Sequence, residues 1–422
     1  MGNDSKTATK IKEKIAQFSQ SISQDFKKPC QKFIRQIFFG IQASKDVKLS
    51  SISLVLNEDI PLIKTENRLS RHLSKYNFSE EIEKAILDKA GCRINQETIL
   101  ALDLSDIRKE FARKMEYLAK VYDGSTGDKY SPGYWLCSVF GAEVKGEELV
   151  PLYQELFSQE AEGFVSENQH IFDAVRKVNE VAKQKGIWAI DRGGDREKVL
   201  SYFLDEKLNF VIRLASLRDI LYQGELRNVL EVAKRCHLTE EIEVSFNRYG
   251  QEEKKKVKIG CRSIRLPFCE ARELIMVVVK GFGQEPMMLL TTLIDKTPEE
   301  ILEIYLTRWK CEESFRFMKQ TYHLEDVRVR SYQGLKNIAC LVLAVFYFVS
   351  IELGKKLKLN ILLQKIFAKA KRFFKIPAFK HYAIADGIYA FLFASIKGID
   401  DLVFVTQKPE PTLPLPFSIP SS

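Results

Sequence analysis

From residue 97 onward the chain alternates short apolar runs with helical segments, and this pattern limits its possible folds more than any other feature. "ETILALDLSD" is an apolar run ending in Asp103, and "MEYLAKVYD", "YWLCSVFGAEV" and "ELVPLYQELF" follow as further strand-like runs. A helical stretch around 166–185 then leads into "GIWAID", a short strand ending in Asp191. After "RGGD" comes a helical "REKVLSYFLDEKL" and another strand, "NFVIRLAS". Strands that alternate with helices predict a mixed α/β sheet. From about 216 to 297 the texture differs. "EIEVSFNRYG", "KKKVKIG", "SIRLPF", "ELIMVVVKGF" and "EPMMLLTTLI" read as consecutive strands with few helical signals, a β-rich insertion made basic along one edge by Lys254, Lys255, Lys256 and Lys258.

Both flanks of this region read as helical. Residues 1 to about 90 carry bases throughout, and "KTENRLSRHLSKYNFS" sets Arg68, Arg71, His72 and Lys75 at helical spacing beside Leu69 and Leu73, the pattern of a DNA-contacting helix or of a solvated basic face. Downstream of the insertion, "TPEE" opens a helix with Thr297 as N-cap, Pro298 at the first position and a Thr297–Glu300 capping box. Helices are expected to about residue 400, with a Pro-rich tail, "KPEPTLPLPFSIPSS", beyond.

With 422 residues, 45% of them hydrophobic, the chain can bury a large core in more than one domain. Its net charge of +9 suits a polyanionic partner. Eight scattered cysteines without a CxxC pair, and five dispersed histidines, complete no zinc pattern and read as reduced thiols of a cytoplasmic protein. The N-terminus lacks a signal-peptide core, and Lys6 stands where a myristoylation signal needs Ser or Thr. "IACLVLAVFYFV", residues 338–349, is too short to span a bilayer and reads as a buried helix.

Asp103 and Asp191 each close an apolar run, where a carboxylate can leave the core for a crevice or simply form a turn. "YLTRWKCEESFRFMKQ" supplies a third acid. At roughly 100° per residue from Tyr305, Arg308 falls near −60°, Glu312 near −20° and Lys319 near −40°, so four polar residues share one stripe. Apolar residues flank it, which turns Glu312 toward the protein or a cleft. An i,i+4 ion-pair ladder from Arg308 to Glu312 is the plain alternative. Three converging carboxylates repel one another unless cations lie between them, and hard divalent ions with oxygen ligands meet that need. Two such ions about 3.5–4 Å apart serve in-line phosphodiester displacement, with Arg308 and Lys319 placed for phosphates and Tyr305 for a hydrogen bond or stacking.

Tyr305, Arg308, Glu312 and Lys319 match the Y-x2-R-x3-E-x6-K signature, and the chain thereby resembles bacterial insertion-sequence DDE transposases of the IS-four group. "ALDLSD" and "AIDRGGD" resemble the group's two Asp segments, and "FVIR" and "LEDVRVRSY" fit its pattern too, over about residues 60–350. The resemblance implies an α/β fold with an RNase H-like catalytic core interrupted by a β-strand insertion, between helical N-terminal DNA-binding and C-terminal regions. It divides the chain into an end-binding region at 1–95, the first core part at 96–215, the insertion at 216–297, the last core part at 298–350 and a C-terminal region at 351–422. Asp103, Asp191 and Glu312 would hold two Mg²⁺ ions, with Mn²⁺ fitting the same ligands. Tyr305, Arg308 and Lys319 would contact transposon-end DNA, with Arg192 and Arg213 as further candidates. The implied reaction is nicking at the element's end, then attack of the freed 3′-hydroxyl on double-stranded target DNA, by a homodimer that pairs the ends. The implied setting is the bacterial cytoplasm, nucleoid-associated when bound, with no membrane. One departure concerns the insertion, which lacks the tryptophan that some members stack on a flipped base; Phe268, Phe282 or Tyr249 are the aromatic substitutes. A silenced DNA-binding copy would be expected to have lost an acid, and a nuclease without strand transfer would need no long end-binding segment.

Overall fold

The computed structural model describes residues 3–123, 129–248, 251–354, 357–370, 379–394 and 398–400; the Pro-rich tail and Tyr249 lie outside the described residues. Five helices come first: α1 (Asn3–Ser21), α2 (Lys28–Ser44), α3 (Leu49–Leu56), α4 (Leu62–Lys75) and α5 (Ser79–Gly91). Their apolar residues recur at helical spacing. Ile11, Ile15 and Phe18 of α1 and Phe33, Ile34, Ile37 and Phe38 of α2 form the buried stripes that fix these helices to the core. On α4 the basic set divides. Arg68 donates to both carboxylate oxygens of Glu58 at 2.8 Å and the His72 ring stacks on Phe33 at 5.4 Å, while Arg71 and Lys75 remain exposed. Half of that candidate DNA-contacting face is therefore used internally.

The remaining chain builds a mixed sheet of twelve strands among the described residues. β1 (Ile99–Arg108), β2 (Ala119–Asp123), β3 (Lys129–Ala142) and β4 (Leu149–Phe157) are joined antiparallel, with β2 and β4 pairing successive stretches of one edge of β3. Helix α6 (Glu167–Ala182) returns the chain so that β5 (Ile187–Ile190) runs parallel to β1, and α7 (Glu197–Asp205) does the same for β6 (Phe210–Arg213) against β5. Next come the hairpin β7 (Asp219–Tyr222) and β8 (Glu225–Asn228), a short helix α8 (Val229–Lys234), and β9 (Glu240–Arg248), β10 (Gln251–Leu266), β11 (Cys269–Lys280) and β12 (Met287–Thr291). Along the sheet the order is β2-β3-β1-β5-β6-β12-β11-β10-β7-β8, with β9 on β10.

Two details differ from the sequence reading. "KKKVKIG" and "SIRLPF" are one continuous strand, β10, because Cys261 and Arg262 continue the ladder with β11 instead of turning. The region also contains a helix, α8, capped by the Asn228 side chain, which accepts from the Leu230 N–H. The lysine-rich stretch of β10 is partly offset across the ladder, Lys254 facing Glu243 at 3.5 Å and Lys258 facing Glu241 at 3.9 Å.

Helices α9 (Pro298–Thr307) and α10 (Trp309–Thr321) then cross the sheet, followed by α11 (Tyr332–Ser350), α12 (Leu357–Lys369) and α13 (His381–Phe393). The Thr297–Glu300 capping box is present in both directions. Strand alternation gives the sheet two apolar faces. Leu100, Leu102, Trp188, Ile190 and Ile212 belong to the large core shared with α1–α7 and α11, whereas Ile99, Ile187, Ala189 and Val211 pack with Leu302 and Tyr305 of α9. By length and composition α11 is apolar enough to cross a membrane, and it is longer than the twelve-residue apolar run it contains. Its flanks lie against β4, α4 and α5, and Ile338, Leu341, Val345 and Phe346 are fully buried, so it is a core helix.

Candidate functional site

The parallel register places the acids. Leu102 of β1 is level with Ile190 of β5, and Ile190 is level with Ile212 of β6, so the next residues, Asp103, Asp191 and Arg213, line up across three adjacent strands. Alternation sets all three on the face that carries Ile99, Ala189 and Val211, the face crossed by α9. Asp103 is not the last residue of its strand, as the apolar run suggested. β5 stops at Ile190 while β1 continues against β3 to Arg108, and Asp103 therefore sits where its parallel neighbour ends. Asp191 both caps and projects: one carboxylate oxygen accepts from the Gly193 N–H at 2.7 Å, starting a single 3-10 turn over Arg192–Gly194. Asp195 anchors that turn from below, accepting from the Ala215 N–H and from Arg218 Nε, both at 2.7 Å.

Glu312 reaches the same place from the first turn of α10. The quoted helix is not continuous. It breaks at Arg308, whose N–H bonds to the Tyr305 carbonyl while its own carbonyl accepts from Cys311, a local tightening that starts α10 afresh. The break lets Arg308 turn inward. Its guanidinium lies 3.5 Å from the Asp103 carboxylate and 2.6 Å from that of Glu312, and its side chain is only 6% exposed. Beneath it lies the Tyr305 ring, 5.7 Å from centroid to guanidinium carbon.

Electrostatics follow from this crowding. Burial raises the Asp103 carboxyl most, Arg308 pulls it back and the charges of Asp191 and Glu312 add to the rise, which together bring it to about 7. Burial alone would lower Arg308, but Asp103, Tyr305 and Glu312 together hold it above its ordinary value. The charges of Asp191 and Glu312 thus both act on Asp103. Among the described residues no three acidic, histidine or cysteine side chains stand close enough to hold a metal ion, and the guanidinium lies between two of the three acids. The donor chemistry nonetheless fits: three carboxylates, oxygen only, carry more negative charge than one arginine offsets, the set that hard divalent cations take.

The other predicted residues divide. Lys319 lies 3.4 Å from Asp106 and 3.2 Å from Glu325, partners that sequence reasoning left unassigned although both occur in the quoted "ALDLSD" and "LEDVRVRSY" segments. Arg192 is exposed on the 3-10 turn, and neither it nor Arg213 enters an ion pair among the described residues. Tyr305 is 2% exposed and belongs to the α9 core. In the β-rich region Phe268 is half-buried against the main core, and Phe282 is half-buried with the Lys255 ammonium 5.8 Å from its ring.

A family model described as a transposase DDE domain matches residues 94–348, more than half of the chain, with both aspartates and Glu312 inside it. The chain belongs to this family of transposases. Among solved structures, the transposase is similar to a piggyBac transposase in a synaptic complex with hairpin DNA, at 11% identity and a TM-score of 0.46, covering 98% of this chain and 84% of that one. That likeness is loose. Among curated proteins none matches the transposase sequence.

Proposed function

We propose that this transposase binds the terminal inverted repeats of its own insertion sequence, cuts the DNA at their ends and joins the freed 3′ ends to double-stranded target DNA, as members of the IS-four group do. Asp103, Asp191 and Glu312 are its catalytic acids. The observation that carries this reading is the register: two acids from parallel neighbours leave the sheet at the same level and on the same face, and Arg308 ties Glu312 to the first of them, Asp103. An RNase H-like placement draws support from the strand order β4-β3-β1-β5-β6, a three-stranded antiparallel part continued by two parallel strands.

In this reading the three acids would hold two Mg²⁺ ions, or Mn²⁺, which when bound activate an attacking oxygen and stabilise a leaving one at the scissile phosphate. The chain's own residues do the remaining work. Arg213, aligned with the acids and without an ion pair among the described residues, and Arg192 on the exposed turn are placed to receive backbone phosphates. Arg308 and Lys319 already engage carboxylates, so each must leave a partner to meet a phosphate. Tyr305 contributes through Arg308, whose guanidinium lies over its ring. Pairing of two ends calls for a homodimer, and the protein would work in the cytoplasm on nucleoid DNA.

The test incubates the purified protein with labelled DNA carrying the element's own ends, in Mg²⁺ or in EDTA, beside Asp191→Asn and Glu312→Gln. Metal-dependent nicking at the end that vanishes in both variants while end binding persists is the expected result, with joined products adding strand transfer. Tight end binding without cleavage by the unaltered protein would instead favour a silent, transposase-derived DNA-binding protein.

A further inference from the structure

Beyond Asp103, β1 runs on to Arg108 and ends in a turn, 109–118, that is folded firmly although it carries no helix or strand. The Lys109 N–H bonds to the Pro132 carbonyl at 2.7 Å, and the Lys109 ammonium donates to the carbonyls of Glu325 and Val327. At its far end the Glu116 N–H bonds to the Arg330 carbonyl, and the Tyr134 hydroxyl donates to the Glu116 carbonyl at 2.6 Å. This pinned turn holds Phe111 in solvent at 90% exposure, beside Tyr130 at 71%. Two large aromatic side chains set together in solvent make an exposed apolar patch, and a rigid frame beneath it indicates a contact surface.

Phe111 and Tyr130 line a groove of about 1040 Å³ together with Arg108, Arg113, Lys114, Arg328 and Arg330. Arg113, Lys114, Arg328 and Arg330 are exposed, and their side chains enter no ion pair among the described residues. Of the acids along the groove, Glu325 is engaged by Lys319 and Asp326 by Lys48, which leaves Glu110 as the exposed counter-charge. Unpaired cations around exposed aromatic rings match the chemistry of a nucleic-acid strand, phosphates outside and base faces within reach of a ring. Position agrees as well. Five residues of strand from Asp103 to Arg108 span about 17 Å, the rise of about five base pairs.

We propose that this groove is a DNA-binding surface for the stretch lying about five base pairs from the cleaved phosphate, with Arg113, Lys114, Arg328 and Arg330 on the backbone and Phe111 stacked on an unpaired base. The proposal rests on the transposase reading above and names where, on this chain, the DNA flanking the catalytic acids lies.

Fluorescence anisotropy of the full chain tests it, with two labelled DNAs of identical sequence carrying the element's own end, a blunt duplex and the same duplex with that end unpaired and frayed, over a salt series. Arg328→Ala/Arg330→Ala is expected to reduce the slope of log affinity against log salt by about 2 on both DNAs, close to one unit per lost phosphate contact. Phe111→Ala is expected to weaken binding to the frayed DNA about tenfold while changing the blunt duplex little. Lys234→Ala/Arg235→Ala, which removes the same charge at the end of α8, should leave the slope nearly unchanged. All these positions are exposed, and matching thermal melts verify the folds. Unchanged slope and unchanged frayed-end preference, with the unaltered protein still binding DNA, overturn the groove and leave the transposase reading intact. An equal slope change in the α8 control also overturns it, since diffuse charge would then suffice. Failure of the unaltered protein to bind either DNA overturns both readings.

Discussion

His381 is a residue whose burial has a measurable cost. Its ring lies against Phe379 at 4.8 Å and Phe346 at 5.4 Å, and burial, with a smaller push from Lys380, lowers it to about 3. The unfolded chain takes up a proton near pH 6.5 while the folded one does not until about 3, so between these values the unfolded state binds more protons and stability falls as pH falls. His381→Leu should remove that dependence, flattening the acid side of the stability curve by about 1.4 kcal/mol per pH unit in that window. Urea titrations from pH 7 to pH 4 on both proteins check it. Single residues were legible in the sequence to differing degrees. Asp103, Asp191 and Glu312 stood out because an acid closing an apolar run, and an acid on an apolar-flanked stripe, both break a local pattern. Arg213 was reached only through the family resemblance, since its alignment with Asp191 is a fact of parallel register that no spacing along one chain encodes. The inward turn of Arg308 was equally hidden: helical periodicity assumes a helix that does not break.

At the scale of elements, α9 has a start written into four residues and an end that is not. The Thr297 hydroxyl accepts from the Glu300 N–H at 3.3 Å and the Glu300 carboxylate accepts from the Thr297 N–H at 2.8 Å. Thr297→Ala should therefore cost about 1 kcal/mol, read as a lower denaturation midpoint with an unchanged urea m-value. Because α9 leads directly into α10, a frayed start should also loosen Glu312 and lower the cleavage rate more than DNA binding. Caps, turns and apolar runs are local signals, and they located most of the strands here together with α4, α6, α7, α9 and α11. The length of β10 is not local. It depends on β11 lying alongside through Cys261 and Arg262, and two apparent strands became one for that reason. Likewise α8 depends on a side-chain cap from Asn228 in a stretch otherwise rich in strands.

Across the whole molecule, the helices of residues 3–91 and the sheet share one apolar core, although the sequence reads them as separate textures. Asn337 of α11 shows the linkage: its amide donates to the carbonyls of Leu73 and Tyr76 at 2.7 Å, and its oxygen accepts from the Phe78 N–H at 2.9 Å. Removing residues 1–93 should consequently expose the apolar flank of α11, giving a fragment that binds a hydrophobic dye and loses its cooperative melt rather than a stable catalytic unit. Strand β12 carries another consequence. It pairs with β6 on one side and β11 on the other, so the β-rich region is a continuation of the central sheet and not a body hung from it. An engineer shortening the protein by joining Leu214 to Glu285 would delete β7–β11 and turn the buried "MMLLT" ladder into a bare sheet margin, open to the same margin on another copy. The miniaturised enzyme should then fail by filament or aggregate formation, visible in light scattering before any loss of its acids is tested, and in that sense the inserted strands serve as a permanent cover against self-association.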